Sequence, residues 1–250
     1  MPGLNGAGRM PRWLLRPVRC GPEVARVEGV LAEGRLNTVC SSAKCPNRGE
    51  CFEAGTATFM IMGDMCTRDC GFCAVPGGTP GPLEEDEPER VAKAAVEMGL
   101  RHVVVTSVTR DDLPDGGAGH FAAVVEAVRD AAPGVTTEVL VPDFAGRSGD
   151  VDTVLAAGPD VFNHNVETVE RLYATARPQA VYSRSLGVLS RAAGAGFRAK
   201  SGLMVGLGES RDEVLALMRD LLESGCRLLT VGQYLRPGAA NVPVERYWEP

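Results

Sequence analysis

Six of the eight cysteines in this 250-residue chain lie between positions 40 and 73, and their spacing is the first sign of chemistry. They form two triplets, Cys40, Cys45 and Cys51, then Cys66, Cys70 and Cys73, with the apolar run FEAGTATFMIMGDM between them. A thiolate is a soft ligand that suits iron-sulfur clusters and zinc. Three thiolates from one short loop can take three corners of a cubane cluster and leave the fourth iron open to a ligand. Zinc sites more often come as paired C-x2-C units that together close four ligands, and neither triplet has a fourth cysteine or a histidine nearby. Disulfide frameworks belong to small secreted domains, and no signal-peptide pattern opens the sequence. Two iron-sulfur centres in a reducing, cytoplasmic setting are the expectation.

The elements that must position these cysteines follow from periodicity. Length and a hydrophobic content of 44% allow one barrel-sized α/β domain. The net charge of −6 argues against nucleic acid or an anionic membrane as partner, and no apolar run approaches the ~20 residues that span a bilayer. Residues 1–22 are an arm with four arginines and no acid, anchored by Trp13, Leu14 and Leu15. A helix over 23–33 places Val24, Val27, Val30 and Leu31 on one face. Strands are expected at 58–62, 102–108, 136–141, 161–167, 200–205 and 228–235, separated by helices. The acidic run 84–89 suits a helix start with Pro88 in its first turn. Ser210 and Glu213 form an S-x-x-E capping box for a helix over 211–224. About six strands in βα alternation imply a parallel sheet, with the second cysteine triplet in the loop after the first strand. Cys226 is expected to be a small buried hydrophobe.

The second triplet is C-x3-C-x-F-C, with Phe72 before its last cysteine, and resembles the signature of radical S-adenosylmethionine (SAM) enzymes. The first, inside TVCSSAKCPNRGEC, resembles the auxiliary-cluster motif of the lipoyl synthase family. The likeness continues through GTATFMIMGDMCTRDCGFC, RHVVVTSVTRDDLPDGGAGHF, VFNHNVETV, KSGLMVGLGE, VGQYLRP and PVERYWEP, from residue 13 to residue 250. The fold it implies is α/β, a partial (β/α)6 TIM-type barrel over residues 56–250. Residues 1–55 would form an N-terminal arm and auxiliary-cluster segment. The cofactors it implies are SAM and two [4Fe-4S] clusters, one on Cys66, Cys70 and Cys73, the other on Cys40, Cys45 and Cys51.

The activity implied is radical insertion of two sulfur atoms at C6 and C8 of an octanoyl chain. A 5′-deoxyadenosyl radical would abstract the hydrogens, and the auxiliary cluster would donate the sulfur. The implied partners are an octanoylated lipoyl carrier domain, either 2-oxoacid dehydrogenase E2 or glycine cleavage H protein, and an electron donor such as ferredoxin or flavodoxin. The family continues past PVERY through a further helix to a serine that completes the auxiliary cluster, whereas this sequence stops at Pro250. The expectation is therefore a truncated C-terminus and an uncovered outer face on the last strand. The alternative is an impaired or non-catalytic relative that binds Fe-S clusters without that serine. Ala74 and the GAAN run at 238–241 are further departures from the family pattern.

Strand polar residues complete the candidate site. Side chains alternate along a strand, so Asn163, Asn165 and Glu167 share one face. Buried amides and a carboxylate need partners, which a bound SAM would supply. His164, on the other face, is expected to be structural. GLMVGLGE has the spacing of the G-x-I-x-G-x-x-E turn of the resembled fold, in which Gly202 and Gly206 admit the adenine and Glu209 closes the motif. Ser107, Arg177 and Lys200 are candidate ligands for the SAM carboxylate or ribose. The turn TRDDLPDGG would lie on the cleft rim. No Ser-His-Asp or paired-carboxylate arrangement stands out, so the cluster ligands are the only residues expected in catalysis.

Overall fold

The computed structural model describes residues 10–15, 21–42, 47–54 and 56–249. After a first helix α1 (Pro22–Glu33), a two-residue strand β1 (Asn37–Thr38) leads into α2 (Val39–Ser42) and α3 (Arg48–Glu53). The alternation then begins: β2 (Thr56–Ile61), α4 (Glu87–Glu97), β3 (His102–Ser107), α5 (Ala118–Ala131), β4 (Thr136–Leu140) and α6 (Ser148–Ala156). It continues with β5 (Val161–Asn163), α7 (Tyr173–Ala176), α8 (Tyr182–Gly194), β6 (Arg198–Val205), α9 (Arg211–Glu223) and β7 (Leu228–Gln233). One sheet holds the strands in sequence order, with β2 to β7 parallel and β1 antiparallel on the edge of β2. This is the expected six-stranded parallel half-barrel, with one extra edge strand that is too short to leave a periodic signal.

The sheet is buried on its outer side by the helices. Val103, Val105, Val139 and Phe162 are fully buried against Val91, Val124, Val128 and Val154 of the surrounding helices. Each such side chain contributes about 1.5–3 kcal/mol. Ser210 and Glu213 make the expected reciprocal capping box on α9. Cys226 is buried among Leu217 and Leu221, as a small hydrophobe. Two expectations change in extent. The strand ladder at 161 ends at Asn163, because the chain lifts away and returns only through a bridge between Glu167, at φ 65°, and Leu203. In the arm, Leu15 is 60% exposed, so it anchors nothing. Trp13 and Leu14 instead border an apolar groove of about 470 Å³ with Val205, Leu215, Val231 and Trp248. The last strand is uncovered there, with Leu229 and Val231 exposed. No helix among the described residues is long and apolar enough to cross a membrane.

The barrel interior carries charge. Glu138 on β4 accepts from Lys200 Nζ at 2.8 and 2.9 Å and from Asn163 Nδ2 at 2.9 Å, with His102 Nε2 3.5 Å away. Burial raises the Glu138 carboxyl, but the bonds from His102, Lys200 and Asn163 outweigh it and bring the pKa to about 2. A depressed carboxylate stabilises the fold above its unfolded value of 4.5, and that stability is lost as pH falls toward 2. The contribution is on the order of 3 kcal/mol. Urea unfolding of the parent and of Glu138→Gln should therefore differ most near neutral pH and converge below pH 4.5. A difference constant from pH 7 to pH 3.5 would refute the assignment.

Candidate functional site

Residues 66–73 follow β2 and contain no helix or strand, so outside groups must hold them. The turn begins at Met62, a non-glycine residue at φ 66°. Its amide donates to Glu87 Oε2 at 2.9 Å, and the same oxygen meets His120 Nε2 at 2.7 Å. The acidic run therefore does more than start a helix, since Glu87 is buried and fixes the entrance to the cysteine loop. The Thr67 amide and hydroxyl both donate to Thr109 O, and the Thr109 amide reaches Cys66 Sγ at 3.2 Å. Gly71 N donates to Ala176 O, Val242 N donates to Gly71 O, and Asn241 Nδ2 donates to Cys73 O at 2.7 Å.

The loop forms one wall of a cavity of about 520 Å³ at the carboxyl ends of the strands, where parallel barrels gather their sites. Cys66, Cys70 and Cys73 carry free thiols and all three line it. Met60, Thr106, Leu140 and Met204 form its floor, while Val39 and Asn47 border it from the N-terminal segment. Burial pushes the Cys70 thiol up to about 12, against the pull of Arg177, and raises Cys73 as well. Such thiols stay protonated at neutral pH until a metal displaces the proton. Among the described residues, no three Cys, His, Asp or Glu side chains gather round a single point for one ion. A cubane takes each thiolate on a different iron and asks for a wider triangle.

The expected contact residues separate by depth. Ser107, Asn165, Glu167 and Arg177 line the cavity beside the cysteines. Arg177 Nη1 donates to Asn165 O at 2.9 Å, and its guanidinium carbon lies 5.2 Å from the Tyr173 ring centre. Arg177 Nε and Ser107 Oγ are buried without any partner. Orphaned donors on a cavity wall ask for an acceptor from a ligand. Burial raises the Glu167 carboxyl, partly countered by Arg177 and Asn165. The set fits a ligand bearing a carboxylate, an amine and hydroxyls.

Asn163 and Lys200 lie below the cavity instead, engaged with Glu138, because the strand interior is deeper than the alternation pattern alone reveals. Gly202 is shaped by the protein itself: a Cβ there would sit 2.6 Å from Asn165 Oδ1. Gly206, at φ 107°, would collide with Gln233 Nε2 and Arg246 O. Glu209 is absent from the cavity wall; its carboxylate accepts from Gly206 N, Leu207 N and Trp248 Nε1 at 2.6, 2.9 and 2.7 Å. His164 also borders the cavity, yet both its ring nitrogens are engaged by the protein. Its Nδ1 donates to Val141 O and its Nε2 accepts from Ser185 Oγ, and burial lowers it to about 4, so it stays neutral. Cys40 and Cys51 flank residues 43–46, and Cys45 lies outside the described residues. Sequence reasoning missed Glu87, His120 and Asn241, whose partners are distant in the chain.

The pattern of the Radical SAM superfamily matches residues 60–221. The chain is 54% identical to the lipoyl synthase of Caldanaerobacter subterraneus subsp. tengcongensis, over 97% of this chain and 85% of that protein. It is 53% identical to that of Syntrophotalea carbinolica, over 98% and 81%. Among solved structures, methylornithine synthase superposes with a TM-score of 0.56 at 14% identity, over 84% of this chain and 60% of that one. Streptococcus suis SuiB bound to precursor peptide SuiA gives 0.60 at 12%, over 89% and 46%. These two likenesses bear on the fold alone.

Close packing of the cysteine loop is testable. A Cβ on Gly71 would lie 2.8 Å from Thr175 O and 2.9 Å from Val242 Cγ1, and the carbonyl is backbone that cannot rotate away. Gly71→Ala should retain its far-ultraviolet circular dichroism while binding markedly less iron after anaerobic reconstitution. Parent-like iron retention would show that the loop has slack.

Proposed function

This chain belongs to the lipoyl synthase family of radical SAM enzymes, and from that premise we propose how its residues divide the work of inserting two sulfur atoms into a protein-bound octanoyl chain. The observation that carries the assignment is the meeting of Cys66, Cys70 and Cys73, round one cavity, with the unpartnered Ser107 Oγ and Arg177 Nε. Cys66, Cys70 and Cys73 hold the [4Fe-4S] cluster that the family shares. When bound, the cluster and SAM supply one-electron chemistry able to remove hydrogen from an unactivated carbon, which no side chain can do.

The chain's own residues bind, orient and shield. Arg177 and Ser107 take the carboxylate of SAM, while Asn165 and Glu167 take its amine or ribose hydroxyls. Glu209 positions the turn at Gly206 rather than touching the ligand. Asn163 and Lys200 set the charge balance beneath the cavity through Glu138. The apolar floor of Met60, Leu140 and Met204 keeps water from the reacting carbon. Hydrogen abstraction by a radical needs no general acid or base.

Residues 1–55 form the segment that supplies a second [4Fe-4S] cluster on Cys40, Cys45 and Cys51, and residues 56–250 form the barrel. The presence of Val39 and Asn47 on the cavity border supports placing that sulfur source beside the reacting chain. The carrier would be an octanoylated 2-oxoacid dehydrogenase E2 domain or glycine cleavage H protein, with ferredoxin or flavodoxin as reductant. Thiol-dependent cluster assembly favours a cytoplasmic setting.

Anaerobically reconstituted protein should hold about eight irons, falling to about four when Cys40, Cys45 and Cys51 are all replaced by Ala. With SAM, reductant and an octanoylated carrier peptide, it should form lipoyl product and 5′-deoxyadenosine. SAM cleavage without thiolated peptide, from a protein with four irons, would reject the sulfur-inserting assignment.

A further inference from the structure

Between Cys66 and Cys70 the loop carries a buried charge that the assignment above does not use. Arg68 is 6% exposed and lines the cavity with the cysteines. Its Nε donates to Asp111 Oδ2 at 2.7 Å and its Nη2 to Asp111 Oδ1 at 2.9 Å, a two-point fork. The same Nη2 donates to Asp143 Oδ1 at 2.6 Å. Asp111 follows β3, and its amide returns a bond to Thr67 Oγ1. Asp143 follows β4 and is fully buried. It also accepts from Arg184 Nη1 at 3.1 Å and from the amide of Ala145, where Phe144 and Ala145 both have positive φ.

Burying these charges costs desolvation that only good geometry offsets, and an apolar side chain of similar volume would often serve stability as well. What the fork adds is direction, since a planar guanidinium on a carboxylate fixes orientation as well as distance. The far part of the loop is held separately, through Gly71, Cys73, Ala176, Asn241 and Val242. Arg68 and Thr67 tether the near part.

We propose that Arg68 is a positioning residue: held between Asp111 and Asp143, it fixes the span from Cys66 to Cys70 so that the cluster presents SAM with a single orientation. The inference rests on Cys66, Cys70 and Cys73 being the ligands. Its Nε and Nη2 are committed to carboxylates, and through them Arg68 acts on the loop.

The test uses reconstituted holoenzyme and the variants Arg68→Met, Arg68→Lys and Asp111→Asn. Iron content, the electron paramagnetic resonance (EPR) signal of the reduced cluster with and without SAM, and KM and kcat for SAM cleavage are measured on each. Arg68→Met should keep the parent's iron content but raise KM for SAM about tenfold, the lower end for residues that orient metal ligands. It should also show more than one SAM-dependent EPR species, with kcat changed less than KM. Asp111→Asn, which weakens the fork, and Arg68→Lys, which lacks it, should fall between. Parent-like KM and a single SAM-dependent signal in Arg68→Met would overturn the proposal. If Arg68→Met does not fold, unchanged KM per loaded cluster in both other variants would overturn it equally. A parent protein whose cluster signal ignores SAM would reject the ligand assignment itself, and the proposal with it.

Discussion

Everything at this site depends on one constraint: a loop without regular secondary structure must hold three thiols in a fixed arrangement. Such a loop satisfies only part of its own backbone, through bonds such as Cys73 N to Cys70 O, so the barrel supplies the rest. Thr109, from the segment after β3, secures Thr67. Asp143, after β4, takes Arg68. Ala176, from α7, takes Gly71, and Asn241 and Val242, after β7, hold Cys73 and Gly71. The tethers come from the segments after β3, β4 and β7 and from helix α7. The loop geometry therefore depends on elements spread over most of the chain, which explains how a short motif can need so long a chain.

The interior has two polar layers that behave differently. The lower layer pairs Glu138 with Lys200, and with His102 and Asn163 close by it links strands β3 to β6. The upper layer contains Arg177 and Ser107, with buried donors that the protein leaves unanswered. Buried polar groups in a structural network are normally satisfied, so orphans on a cavity wall mark where a ligand completes the network. Asn163 belongs to the lower layer although its Oδ1 also lacks a partner. Its amide is committed to Glu138, and it does not border the cavity.

The fold was legible because its signals are local. Alternating apolar residues, Gly and Pro punctuation and the Ser210 capping box each act within a few residues, so β2, β3, β4, β6, β7, α1 and α9 emerged within a residue or two, whereas the short β1, α2 and α3 left no signal. Strand β5 was the exception, because its end is set by where Glu167 meets Leu203 rather than by its own composition. The gathering of Cys66, Cys70 and Cys73 at one cavity was legible for the same reason of spacing. Residue depth was not. Asn163 and Asn165 are two positions apart and look alike in the sequence, yet one pairs with Glu138 and the other borders the cavity. The two glycines have a reason the sequence does not show: a Cβ at Gly202 would meet Asn165, and one at Gly206 would meet Gln233 and the backbone of Arg246. Glu87 and His120 gave no signal because their meeting requires α4 and α5 to pack first.

The segment after β7 shows how two walls of the cavity become one mechanical unit. Tyr234 OH donates to Val242 O, and Val242 in turn binds Gly71 in the cysteine loop. A few residues on, Glu245 N donates to Gly206 O and Trp248 Nε1 donates to Glu209, which also gathers the amides of Gly206 and Leu207. A single strand of chain thus touches the loop that carries the thiols and the turn at the end of β6. Neither can shift without straining bonds to the other through residues 234–248. Glu209 then has a physical reason to be an acid without touching any ligand, since a carboxylate can accept from three donors where an amide offers only one acceptor oxygen.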